Sequence, residues 1–224
     1  MSNIYGFAQQ ENVGRAADGT AVGIRAFRDG AIIEVPWLQA LCFEGRMFTT
    51  HFGVTDMAAA VANLAANAAA MDYTEIDMLC TIPATIALVP VYFKVGFSAI
   101  GTIADTEAML GWGSGGVIGA NSVAVVPRNL RPGSGIATVC TVATQGDAGG
   151  TAVTLTGVIF REATTALTGV AATAAQLGYE WSVTRAGVVP VIEGARQLVG
   201  LTNSQAGTGF ETYVWAELPI SAVV

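Results

Sequence analysis

Lysine is almost missing from this chain. Lys94 is the only lysine among ten cationic side chains, and the arginines are scattered from Arg15 to Arg196 without forming a basic arm or stripe. Charged residues of both signs make up 12% of the sequence, about half the ~25% usual for soluble proteins. The balance is acidic, with a net charge of −7 and a pI near 4.6. Binding to nucleic acid depends on counterion release by clustered cations, so a specific nucleic-acid-binding role is excluded as the main function. Histidine is scarcer still. His51 is the single one, which rules out a His-rich metal centre and leaves any Ser-His-Asp arrangement dependent on that one residue. Cysteine is limited to Cys42, Cys80 and Cys140, far apart and each in an apolar stretch. Three cysteines without CxxC spacing do not make a disulfide framework. They read as buried reduced thiols, with a bridge between two of them left open. The first residues, "MSNIYGFAQQENVGR", lack a basic region followed by a long apolar one, so no signal peptide is expected. No period of 20 to 50 residues repeats, which disfavours a solenoid or propeller.

What fills the space left by charge is apolar. Hydrophobic residues are 52% of the 224 and the mean hydropathy is +0.53. Either the chain enters a membrane or something covers much of its surface. The candidate span, Thr81 to Ala104, is long and apolar. However, Pro83 and Pro90 interrupt it, Lys94 lies inside it, and β-branched and aromatic residues dominate it. Two strands joined at the prolines describe it better than a helix in lipid. An outer-membrane barrel would need regular apolar and polar alternation over about ten residues per strand, and the alternation here is poor.

The length suits one large all-β domain with a sizeable core. Strand-like runs occur at Ala21–Phe27, Ala31–Val35, Leu38–Phe43 and Arg46–Phe52, with Asp29-Gly30 as a tight turn between the first two. The pattern then changes. "TDMAAAVANLAANAAAM" places Met57, Val61, Leu64, Ala68 and Met71 on one helical seam. Thr55 or Asp56 can cap its start, and its uncharged far side suggests cover on more than one side, from its own domain or another subunit. This gives an N-terminal part, 1–73, with an alanine-rich helix over 55–71 packing on the same domain, and a β core over 74–224. Strands are expected at Glu75–Ile82, Ile86–Phe97, Ala108–Trp112, Ser122–Val126, Ile136–Val142, Ala152–Phe160, Gly178–Thr184, Gln197–Leu201 and Gly209–Leu218. "TQGDAGG" reads as a hairpin-type loop, and "ATTALTGVAATAAQ" as a short helix or a loop. Strands of this number and spacing indicate a sandwich or barrel.

The motifs that could carry chemistry fail on context. Gly111 to Gly116 matches GxGxxG literally, but "VIGANSVAVV" follows it rather than a helix, and no acidic residue stands about 20 positions on. Gly96-Phe-Ser98-Ala-Ile-Gly101 misses the GxSxG nucleophile elbow by one residue and lies in a strand run. Glu211 and Glu217 are six residues apart on one strand face, roughly 20 Å at about 3.3 Å per residue. Paired glycosidase carboxylates need about 5–9.5 Å. Asp72 and Glu75 look like solvated boundary residues, and convergence of other acids is not visible in sequence. No catalytic, cofactor-binding or metal-ligating residue is assigned, no cofactor is expected, and the chain is read as a non-enzyme.

"GTGFETYVWAELP", Gly207 to Pro219, poses the sharpest question. Alternation puts Phe210, Thr212, Val214, Ala216 and Leu218 on one face and Glu211, Tyr213, Trp215 and Glu217 on the other. A Tyr and a Trp should not both face water, so something covers that second face. Glu75 to Pro219 resembles the single jelly-roll major capsid proteins of icosahedral, membrane-containing phages and archaeal viruses, the sphaerolipovirus-like group. "EIDMLCTIPATIALVPVYFKVGF" resembles their strand, proline turn, strand opening. "AGVVPVIEGARQLVGLTNSQAGTGFETYVWAELP" resembles their closing pair, and the loops between are rich in Gly, Ala, Ser and Thr. The alanine-rich helix lies outside this pattern, as an insertion. The resemblance implies a jelly-roll β-sandwich of two packed antiparallel sheets. It implies a structural capsid protein that self-assembles, alone or with a second capsid protein, into an icosahedral virion shell. The partners would be further copies, other capsid proteins and an internal lipid membrane, and the location the virion, assembled in the host cytoplasm. It further implies that Phe210, Val214 and Leu218 face the sandwich core. Tyr213 and Trp215 would then be covered by the N-terminal segment, the helix or a neighbouring subunit. The competing reading is a carbohydrate- or surface-binding jelly-roll module, a spike, fibre or lectin-like domain, using Trp112 or Trp181 as a sugar platform.

Overall fold

The computed structural model describes residues 36–53, 71, 73, 74, 76–99, 105–119, 122–144, 150–165, 178–203 and 208–222. The expected strands at 21–27 and 31–35, the Asp29-Gly30 turn, the helix over 55–71 apart from Met71, and most of "ATTALTGVAATAAQ" lie outside them. In chain order the elements are α1 (Trp37–Phe43), β1 (Met47–Gly53), β2 (Met78–Ile82), β3 (Ile86–Ala99), β4 (Asp105–Ser114), β5 (Val123–Val125), β6 (Arg128–Asn129) and β7 (Thr141–Thr144). They continue with β8 (Thr154–Thr165), β9 (Gly178–Ser182), α2 (Val183–Ala186), β10 (Ile192–Glu193), β11 (Arg196–Asn203) and β12 (Thr208–Pro219).

The strands form two antiparallel sheets. The first runs β10-β3-β12-β1-β6, with β9 also paired to β3, and the second runs β5-β7-β2-β11-β4-β8. Eight strands have five residues or more: β1, β2, β3, β4, β8, β9, β11 and β12. Numbered one to eight along the chain, they lie 1-8-3-6 in the first sheet and 2-7-4-5 in the second. That is the jelly-roll order, two interlocked Greek keys. Among the described residues both sheets have open edges, which makes this a sandwich and not a closed barrel. Among the described residues no helix is long and apolar enough to cross a membrane. β1, upstream of residue 74, is an integral strand of the first sheet.

Phe93, Val95 and Phe97 of β3 meet Met78, Cys80 and Ile82 of β2, Ala108 and Leu110 of β4 and Leu198 of β11 in the space between the sheets. The second sheet is buried on its other side too. There Leu79, Met109, Val199 and Leu201 pack under Met71, Ile76 and Val153. This accounts for the consecutive buried residues Met78, Leu79 and Cys80 and for the run "LVGL", which show no period of two.

Several expectations are corrected. Leu38–Phe43 was expected as a strand, but Trp37–Phe43 is helix. "WLQALCF" is short enough to satisfy either period, and Pro36 fits just ahead of a first helical turn. Pro90 does not end a strand. It sits within β3 beside Trp215, where the β3–β12 register shifts, and a bulge is where a strand tolerates a residue without an N–H. "TQGDAGG" does not close a hairpin, because β7 and β8 are not neighbours: β2, β11 and β4 lie between them in the second sheet. Most important, the faces of β12 are reversed. Glu211, Tyr213, Trp215 and Glu217 point between the sheets and are buried, with Tyr213 and Trp215 at 1% and 0% exposure. Phe210 is exposed on the outside, with Val214 and Leu218 only partly buried. The cover over Trp215 is the second sheet, through the core it shares with Cys80, Cys140 and Val142, and Met71 packs on the far side of that sheet. Aromatic area outweighs two carboxylates in choosing the buried face once those carboxylates find partners inside.

Candidate functional site

The core holds two polar clusters, both built on the inner face of β12. At one end, Glu217 gathers three donors. Oε1 accepts from Trp215 Nε1 at 3.0 Å and from Thr138 Oγ1, and Oε2 accepts from the Val139 amide at 2.9 Å. The carboxylate thereby anchors the crossing segment between β6 and β7 to the sandwich. Cys140 follows directly. A thiol–thiol hydrogen bond with Cys80, then burial and the nearby Glu217, push the Cys140 thiol up, which suits an inert core residue. All three cysteines are free, Cys42 half-buried on α1 and the others buried.

At the other end, Glu211 and Tyr213 of the first sheet meet Asp77 and Thr202 of the second. Asp77 Oδ2 accepts from the Thr202 amide at 2.5 Å and from Thr202 Oγ1 at 2.8 Å. The Asp77 amide donates to Gly200 O at 3.1 Å. Tyr213 lies against that same Gly200, where a Cβ would overlap its hydroxyl, and donates to Glu211 Oε2. Among the described residues Glu211 Oε1 has no hydrogen-bond partner, and neither has the buried Thr50 Oγ1 on β1. Burial first, and Asp77 second, push the Glu211 carboxyl well above the usual range. Burial, Glu211 and Asp77 do the same to the Tyr213 phenol. Sequence reasoning singled out Glu211 but not Asp77, since nothing local marks a residue that pairs across two sheets.

The remaining sequence candidates do not converge. His51 is exposed on β1. The strand β3 continues through Ser98 to Ala99, so no strand-to-helix elbow exists there. Gly111 and Gly113 lie within β4, where added Cβ atoms would press on the backbone of β8 at Gly157 O and Thr154 O. They permit close strand approach, and they lie in a strand instead of at a strand-to-helix turn. Trp181 is buried in the core, and Trp112 is half-buried over Gly157. Among the described residues no group of three His, Cys, Asp or Glu side chains could hold a metal ion.

The outer surface is built differently. Along the β6 edge, Asn129 Nδ2 donates to Gly45 O at 2.6 Å and Ile136 O at 3.0 Å, and Arg131 Nη1 donates to Phe43 O at 2.6 Å. These bonds tie α1 to the segment after β6 and hold Phe43 (51% exposed), Leu130 and Ile136 outward. On the opposite edge of the same sheet, Gly187 ends α2 in the left-handed conformation, φ 68°. Val188 (68% exposed), Val189 and Val191 then stand exposed before β10. Four strand spacings separate the two edges, about 19 Å. No protein-family model matches the chain, and no curated protein matches it.

Proposed function

We propose that this chain is a structural shell protein, a single jelly-roll capsid subunit that assembles with further copies, alone or with a second capsid protein, into an icosahedral virion. The observation that carries this reading is the pair of apolar rims on opposite edges of one sheet. The core between the sheets is complete without Phe43, Ile136, Val188 and Val189, so these residues contribute nothing to it by facing outward. Contiguous exposed apolar patches mark interaction sites, and a subunit with one on each flank can be covered by neighbours on both sides. Heterologous contacts of that kind extend into rings and shells. The low charge content fits the same picture, because charged residues are depleted where interfaces are buried. The resemblance over Glu75 to Pro219 supplies the remaining partners, a second capsid protein and a lipid layer beneath the shell. The carbohydrate-binding alternative draws no support from Trp181, whose ring is inside the core.

Electron microscopy and light scattering of the purified protein over rising concentration test the reading. Capsomers or closed particles are the expected result. A monomer at every concentration, with or without lipid vesicles, overturns it.

A further inference from the structure

We propose that Glu211, buried between the two sheets in the neighbourhood of Asp77, acts as a proton-dependent clasp: a neutral carboxylic acid in the folded state that destabilises the sandwich when it ionises. The two residues come from opposite sheets. Glu211 is on β12, whereas Asp77 stands just before β2 with its amide bonded to Gly200 O of β11. Donors are divided unequally between them. Asp77 Oδ2 takes both the amide and the hydroxyl of Thr202, the pattern that suits an ionised carboxylate. Glu211 has the Tyr213 hydroxyl on Oε2 and nothing on Oε1, at 0% exposure. A buried carboxylate with one bare oxygen, facing a second carboxylate, keeps its proton.

Among the described residues nothing around Glu211 substitutes for that proton. β1 contributes Thr50 beside Tyr213, β3 contributes Val95 beside Glu211, and β11 contributes Thr202. His51 and Lys94 belong to neighbouring strands, but alternation puts them on the outer face, and Tyr179 lies beyond Val95 with its hydroxyl on Thr106. Among the described residues no basic side chain pairs with Glu211. Among the described residues the titratable groups near it are therefore Asp77 and Tyr213. The carboxyl is raised in the folded state. Its contribution to stability is thus complete below the ordinary carboxyl range and is lost as pH rises through the raised value. The clasp makes the sandwich an alkaline-sensitive structure, and it does so whether or not the subunit belongs to a shell.

The test is thermal melting of the unassembled full chain between pH 5 and pH 9, wild type against Glu211→Gln. The amide keeps the shape and cannot ionise. The expected result is a wild-type melting temperature that falls by several degrees as pH rises, and a Glu211→Gln protein that falls less and melts above wild type at pH 9. Parallel curves overturn the clasp. Should Glu211→Gln fail to fold, infrared spectroscopy of the wild type decides instead. A carbonyl band of a protonated carboxylic acid that persists at pH 7 is expected, and its absence overturns the proposal. A cation in place of the proton would also overturn it: calcium or magnesium would then raise wild-type melting at pH 7, and a chelator would lower it.

Discussion

Trp215 and Phe43 are both large aromatics associated with the first sheet, and the fold treats them in opposite ways. Trp215 is 0% exposed, its ring beside Phe48 with centroids 6.4 Å apart and its Nε1 bonded to Glu217. Phe43 is half exposed, and what is tied down there is its backbone carbonyl, held by Arg131. Between the sheets, even polar atoms are arranged in detail. On the rims, apolar side chains are presented to the outside by backbone hydrogen bonds that fix their position without covering them. The fold completes its interior without using its apolar rims, and it leaves them exposed.

The contrast breaks most severely from the inside. Trp215→Ala should cost about 3–5 kcal/mol, through lost aromatic burial and the cavity left behind, and urea unfolding at neutral pH measures it. Glu217→Ala comes next, at about 2–4 kcal/mol. It leaves the Val139 amide, the Thr138 hydroxyl and Trp215 Nε1 without their acceptor in a buried site, and it should also loosen the segment before β7, read as faster amide exchange at Val139. Gly200→Ala should cost about 1–3 kcal/mol by overpacking, since its new methyl overlaps the Tyr213 hydroxyl; the same urea experiment serves. Phe43→Asp with Ile136→Asp, and Val188→Asp with Val189→Asp, should shift stability least, within about 0.5 kcal/mol per substitution. If the rim pairs destabilise as much as Trp215→Ala, the distinction between interior and rim is lost.

Sequence reasoning recovered much of this arrangement. Ile86–Phe97 and Gly209–Leu218 fall within two residues of β3 and β12 at every end, because β-branched and aromatic runs bounded by Gly or Pro have few alternatives to a strand. The two faces of β12 were also separable, since alternation is strict there. Which face is inside was not. Two glutamates among the inward residues made that face look like the outer one, and two of the donors to Glu217, Thr138 and Val139, come from the distant segment between β6 and β7. Hydrophobicity ranks side chains one at a time, whereas the cost of burying a carboxylate depends on donors supplied by residues distant in the chain. The β7–β8 connection misled for a related reason. Glycine marks a turn but does not say whether the strands on either side are neighbours. The rims were legible only as composition, a shortage of charge with no position attached.

Sedimentation velocity over rising concentration, on wild type and the Phe43→Asp/Ile136→Asp and Val188→Asp/Val189→Asp proteins, tests the central claim most directly. The expected result is a wild type that moves to large, discrete assemblies while both rim variants stay monomeric and melt at nearly the wild-type temperature. Rim variants that assemble as wild type does, or a wild type that never leaves the monomer, would contradict it.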